Sequence, residues 1–275
     1  MPDAAADFEI DAGLGVRLSG EQSGTGIPIV LLHGLTATRR YVVMGSRTLE
    51  RSGHRVVAYD ARGHGHSSPA PVPDAYTYGL LADDLGAVLD DLEIDRAVLA
   101  GASMGAHTAL RFALDHPDRV YALGLITPAF DPEAATGLNA FAGWDRLARG
   151  LREGGVEGFV DAYPLDEIPA RWRDTVVKVL RQRLSAHDHP LAVADALEGV
   201  PRSRPFEAWG GLQSVGVSTL VVASRDEVDP SHPLAVAERY AAAIPDATLV
   251  VEQPGSSPIA WQGGRLSKVL AELVK

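Results

Sequence analysis

The chain has no cysteine among its 275 residues. That absence excludes disulfides, thiolate metal centres and a cysteine nucleophile together. It also lacks any apolar run approaching the ~18 residues of a membrane span. Basic residues are in deficit, 25 Lys and Arg against 36 Asp and Glu for a formal net charge of −11, and they form no run. Such a chain carries no electrostatic footprint for nucleic acid or an anionic membrane. The first residues, "MPDAAADFEIDAG", have neither a basic segment nor an apolar core. No secretory signal is read there, and the expected location is cytoplasmic. No internal repeat or low-complexity tract is present.

What is present is an alternation. Short apolar runs at 28–34, 54–59, 96–103, 120–126, 218–224 and 247–252 read as buried strands. Between them, stretches at 41–53, 77–94, 104–117, 233–244 and 263–274 read as helices. In the second of these, Leu81, Leu85, Val88 and Leu92 fall at helical spacing. Strands separated by helices imply parallel crossovers, hence an α/β protein: a mostly parallel sheet with helices on both faces. From 131 to 203 the strand signal lapses, and a region with Trp144, Phe159, Tyr163 and Trp172 reads as helical. Residues 1–130 and 204–275 are therefore expected to form the core domain and 131–203 an inserted helical cap. Open sheets of this kind take ligands at the carboxyl ends of their strands, where the cap would lie.

Ser103 sits in "GASMG" (101–105), between an apolar strand and an amphipathic helix. G-x-S-x-G in that context is the pattern of a nucleophile elbow. The turn is so tight that the residues two before and two after the serine must be glycine or nearly so. The Met104 N–H, at the helix start, would then face a developing oxyanion.

With these features the sequence resembles the α/β-hydrolase fold superfamily over nearly its whole length. "LLHGLTAT" (31–38) is similar to the family's His-Gly loop, and "YDARGHGHSS" (59–68) to its D-x-R-G-x-G-x-S loop. The resemblance implies Ser103 as nucleophile and the Leu35 and Met104 N–H groups as oxyanion hole. It also implies the order serine, acid, histidine along the chain. The acid follows the strand after the cap, where "LVVASRDEVDP" (220–230) offers Asp226 at the expected distance from the strand. Alignment from the following helix favours Asp229, and Asp131 is a further alternative. The histidine is expected in "VVEQPGSSPIAWQ" (250–262), yet Pro258 occupies its place and no histidine follows.

Nine histidines remain as substitutes. His54 and His116 lie at the wrong end of the sheet, His107 beside it. His33, His64 and His66 belong to loops that such residues brace, and His187 and His189 to the cap. His232 lies in the loop that leaves the acid strand and borders the usual histidine position. It is the expected base, with Asp226 or Asp229 orienting its second nitrogen.

Two functional readings follow. The first is a serine hydrolase of a small apolar ester, lactone, thioester or C–C bonded substrate, its base relocated to His232. The second is a non-hydrolytic ligand-binding, lyase or cyclase protein of the same fold that has lost the triad histidine. Neither implies a metal or organic cofactor. The expected partner is a small organic molecule, and self-association into a homo-oligomer is left open.

Overall fold

The computed structural model describes residues 5–134, 140–225 and 229–274. An antiparallel hairpin, β1 (Ala6–Asp11) and β2 (Arg17–Ser23), opens the chain. There follow β3 (Ile27–Leu32), α1 (Thr48–Arg51), β4 (His54–Tyr59), α2 (Tyr78–Asp91), β5 (Ala97–Ala102), α3 (Met104–Asp115) and β6 (Val120–Ile126). The helices α4 (Ala142–Ala162), α5 (Ala170–Leu184) and α6 (Pro190–Arg202) come next, then β7 (Ser218–Ala223), α7 (Leu234–Ala243), β8 (Ala247–Val251) and α8 (Gly263–Leu270). The eight strands form one sheet in the order β1-β2-β4-β3-β5-β6-β7-β8. β2 pairs antiparallel with β4, and every pairing from β4 to β8 is parallel.

Period-two alternation within the strands divides the interior. Val30, Leu32, Leu99, Leu123, Leu125 and Val221 face one side, where α2, α3 and α7 contribute Leu85, Phe112 and Tyr240. Ile29, Leu31, Val98, Ala122, Ile126 and Val222 face the other, against Leu49, Leu266 and Leu270 of α1 and α8. The insertion between β6 and β7 has an apolar cluster of its own, including Leu151, Phe159, Leu184 and Leu197. A fourth cluster joins it to the core domain, α6 meeting Ala61, Tyr76, Tyr78 and Met104. Among the described residues, no helix is long and apolar enough to cross a membrane.

Two local readings of the sequence need correction. The helix expected over 41–53 is reduced to the single turn of α1. Met44 and Gly45 both take positive φ, 51° and 71°, which no α-helix accommodates, so the apolar pair Val42–Val43 is buried from a turn. The N-terminal hairpin was not anticipated. Most of β1 and part of β2 are exposed, so a strong hydrophobic alternation is missing there.

Candidate active site

The site forms at the carboxyl ends of β3, β5 and β7. β5 runs out at Ala102, and Ser103 turns the chain sharply into α3 with φ 51° and ψ −111°. The Ser103 N–H donates to the Ile126 carbonyl at 2.9 Å, tying the elbow to the neighbouring strand. The conformation is possible because the turn has no side chains beneath it. A Cβ on Gly101 would collide with the Gly105 carbonyl, and one on Gly105 with the Leu32 carbonyl. A strained non-glycine residue held this firmly is characteristic of functional positions.

The loop after β3 passes directly beside the serine: a Cβ on Gly34 would lie 3.5 Å from Ser103 Cβ. Its shape is set by buried polar contacts. His33 Nδ1–H donates to the Gly34 carbonyl at 2.8 Å, while Nε2 accepts from the Ala61 N–H at 2.9 Å. Asp60 accepts from the Arg39 N–H at 2.8 Å and pairs with its guanidinium. Arg62 holds both carboxylate oxygens of Asp84 at 2.7 Å, with both side chains buried. Among the described residues, neither the Leu35 nor the Met104 N–H has an acceptor. Both residues flank the serine, Met104 as the first residue of α3.

The third part comes from the loop after β7. His232 Nε2 lies 2.9 Å from Ser103 Oγ. Its Nδ1 lies 2.9 Å from Asp229 Oδ1, which also accepts from Ser231 Oγ at 2.8 Å. The His232 N–H bonds the Asp229 carbonyl at 3.2 Å, so a tight turn brings the two side chains to one side. Burial works against the Asp229 charge, but the His232 and Ser231 contacts and the Arg183 charge outweigh it and keep its pKa below the usual value. The bonding pattern suits Nδ1–H donating to the carboxylate and a free Nε2 lone pair accepting from the serine hydroxyl.

The structure thus brings Ser103, His232 and Asp229 together, with Leu35 and Met104 beside them. Asp226, the acid expected first, lies outside the described residues. Asp131 is engaged elsewhere, by the Glu133 N–H and Arg239. Pro258 is buried, and the carbonyls of Ser257 and Pro258 accept from Gln262 Nε2. The other histidines have different duties. His107 is hydrogen-bonded to Tyr78 and to the Ala129 and Phe130 N–H groups, and burial lowers its pKa to about 3. His187 accepts from the Gly65 N–H at 2.8 Å and donates to the Thr36 carbonyl at 3.2 Å, fastening the end of the α5 segment to the core. His66 pairs with Asp188 in solvent. Ser231 and Arg183 were missed from sequence. An Asp-Pro-Ser-His turn is a signal for the former; the latter is an ordinary helix residue until the insertion is placed.

These buried histidines set an acid limit on stability. Burial lowers the His187 pKa to about 4, while the unfolded chain keeps about 6.5. Between these values the unfolded state binds a proton that the folded state refuses, so stability is full above pH 6.5 and is lost as pH falls toward 4. His187 alone accounts for a loss on the order of 3 kcal/mol. Melting temperatures from pH 7.5 to 4 should fall, and His187→Gln, able to make both backbone contacts without charging, should show a shallower fall. An equal pH slope in both proteins would remove His187 from this account.

The alpha/beta hydrolase fold model matches residues 27–263, and the chain belongs to that family. It is 31% identical over 225 residues to a protein named "Putative carbamate hydrolase RutD" from Variovorax paradoxus (strain S110), with 82% of each chain covered. A solved structure of a thermophilic esterase from Thermogutta terrifontis (malate bound) superposes with a TM-score of 0.78 at 25% identity, covering 97% of both chains. The enol-lactonase from Burkholderia xenovorans LB400 shares the fold at 24% identity and TM-score 0.77, over 96% of this chain and 99% of that one. Family and relatives together support an enzyme of hydrolase type.

Proposed function

We propose that the protein is a serine hydrolase of a small ester or lactone, working through Ser103, His232 and Asp229. One observation carries the reading: a single histidine bridges Ser103 Oγ and Asp229 Oδ1 with 2.9 Å contacts on either side. A serine hydroxyl is a weak nucleophile unless a base takes its proton during attack. His232 Nε2 takes that proton as Oγ bonds to the substrate carbonyl carbon. Asp229 keeps the imidazole in the required tautomer and stabilises the imidazolium. The oxyanion of the tetrahedral intermediate is received by the Leu35 and Met104 N–H groups, which have no competing acceptor among the described residues. His232 then protonates the leaving alkoxide, and a water activated by the same nitrogen releases the acid and restores Ser103.

The insertion at 131–203 acts as the cap of this site. The insertion's own apolar cluster, which includes Leu151 and Phe159 and against which Leu35 packs, supports that role and an apolar wall for the substrate. The replacement of the usual histidine by Pro258 is answered by His232 rather than by loss of the triad, which disfavours the non-hydrolytic reading.

A fluorophosphonate probe tests the proposal. Rapid, stoichiometric labelling at Ser103 is expected, with labelling and hydrolysis of 4-nitrophenyl acetate both abolished in Ser103→Ala. An unlabelled wild-type protein that leaves the ester intact would refute the hydrolase reading.

A further inference from the structure

Arg183, in the last turn of α5, carries a charge that the catalytic scheme leaves unused. Its surroundings are those of the candidate site. Four residues further on, past the end of the helix, His187 bonds the Thr36 carbonyl of the loop beside Ser103, and the Asp188 N–H bonds the Gly65 carbonyl at 2.9 Å. The next residue, Leu184, packs in the cluster that includes Leu35. The guanidinium itself reaches back to the core domain and lies 5.4 Å from the centre of the Tyr41 ring.

What it lacks is an acceptor. Arg183 Nε is fully enclosed and has no hydrogen-bond partner, and among the described residues the other guanidinium nitrogens have none either. An arginine carries five N–H donors and stays charged in proteins. Leaving a buried donor unpaired is costly, and buried donors are almost always satisfied. Three other arginines of the insertion show the contrast: Arg152, Arg181 and Arg202 each hold a carboxylate. Burial opposes the Arg183 charge, and the nearby Tyr41, Asp229 and Tyr163 offset this without bonding it. Asp229 is already committed to His232 and Ser231.

We infer that Arg183 is a specificity-determining residue that receives a carboxylate on the substrate, so that the preferred substrates are esters or lactones bearing a free acid group. A carboxylate accepts two parallel N–H bonds from a guanidinium, in the planar geometry that Arg offers. The anion completes the donors that the folded protein leaves open, and the cation–π contact on Tyr41 holds the guanidinium in place before the substrate arrives. This inference rests on the serine-hydrolase reading for its substrate class, and on the unpaired guanidinium for the charge.

The test is a matched pair of substrates, mono(4-nitrophenyl) succinate and its methyl ester, which differ in one negative charge. The wild-type protein should favour the anion by about 10- to 100-fold in kcat/KM. In Arg183→Gln that ratio should collapse toward one, chiefly through KM, while Arg183→Lys should fall between. A wild-type protein without preference overturns the inference, whether or not the variants fold. So does an unchanged ratio in a folded Arg183→Gln protein, because a residue that merely supports Asp229 or Tyr41 would slow both esters alike. Binding of monomethyl succinate to Ser103→Ala separates the two readings. If nothing is turned over, yet this anion binds and Arg183→Gln weakens it at least tenfold, the hydrolase reading fails and the carboxylate site stands. If the esters are turned over without regard to charge, the reverse holds.

Discussion

His232→Ala is expected to lower kcat for an activated ester by roughly 10⁴-fold or more, with the protein still folded. The size follows from the base having no substitute. Among the described histidines, His33, His107 and His187 are committed at both ring nitrogens to backbone or tyrosine groups. His64 Nδ1–H donates to the Arg62 carbonyl at 3.0 Å, and burial holds its pKa well below the ordinary value. The His232 ring is only partly buried, so its loss leaves a small wet gap rather than a core cavity, and the melting temperature should change little. Asp229→Asn should follow with a smaller loss, because the imidazole would be held in the wrong tautomer. Steady-state kinetics on the three proteins decides the matter. Full activity in His232→Ala would eliminate it as base, and a loss seen in Asp226→Asn instead of Asp229→Asn would move the orienting acid.

The serine, its turn and the order of strands are legible in the chain because each depends on neighbours in sequence. A strand-to-helix turn with a serine at its apex requires small residues at 101 and 105, and those residues are there. The base is a different kind of question. Pro258 shows only where the histidine is not. Finding where one stands requires knowing how far a loop from β7 reaches, which the chain expresses as nothing more than a few residues of extra length. The same extra length hides the register of the acid. Asp226 and Asp229 are both carboxylates at plausible distances, and it is the turn closed by the His232 N–H on the Asp229 carbonyl that puts one of them against the ring. Arg183 is less legible still. Its spacing on α5 is that of any solvated helix arginine, and its isolation from acceptors arises only when α5 packs over the loop at 33–41. The stretch at 41–53 has the opposite cause: it reads as a helix between two strands, and two residues at positive φ break it.

Gly105→Val is expected to prevent stable folding, with a loss of about 4 kcal/mol or more. The reason lies in the backbone rather than in the side-chain core. The first carbon added at 105 meets the carbonyl of Leu32, with Leu32 Cβ only 2.8 Å away, so α3 would have to withdraw from β3. Neither element can give. Leu32 is paired to Gly101 in the sheet, and α3 is buried along most of its length, from Met104 to Leu110 and again at Phe112 and Ala113. Closely packed interiors relax only partially around an added group, and here the obstacle is backbone on both sides. Gly143 is the control. It lies in α4 with no heavy atom within 4 Å of an added Cβ, so Gly143→Ala should leave stability within about 1 kcal/mol of wild type or slightly raise it, through better helix propensity. Thermal melts and soluble yield of the two variants provide the comparison. A Gly105→Val protein that melts like wild type would mean that β3 and α3 do not approach this closely. The rigid platform that aims Ser103 at His232 would then lack its physical basis.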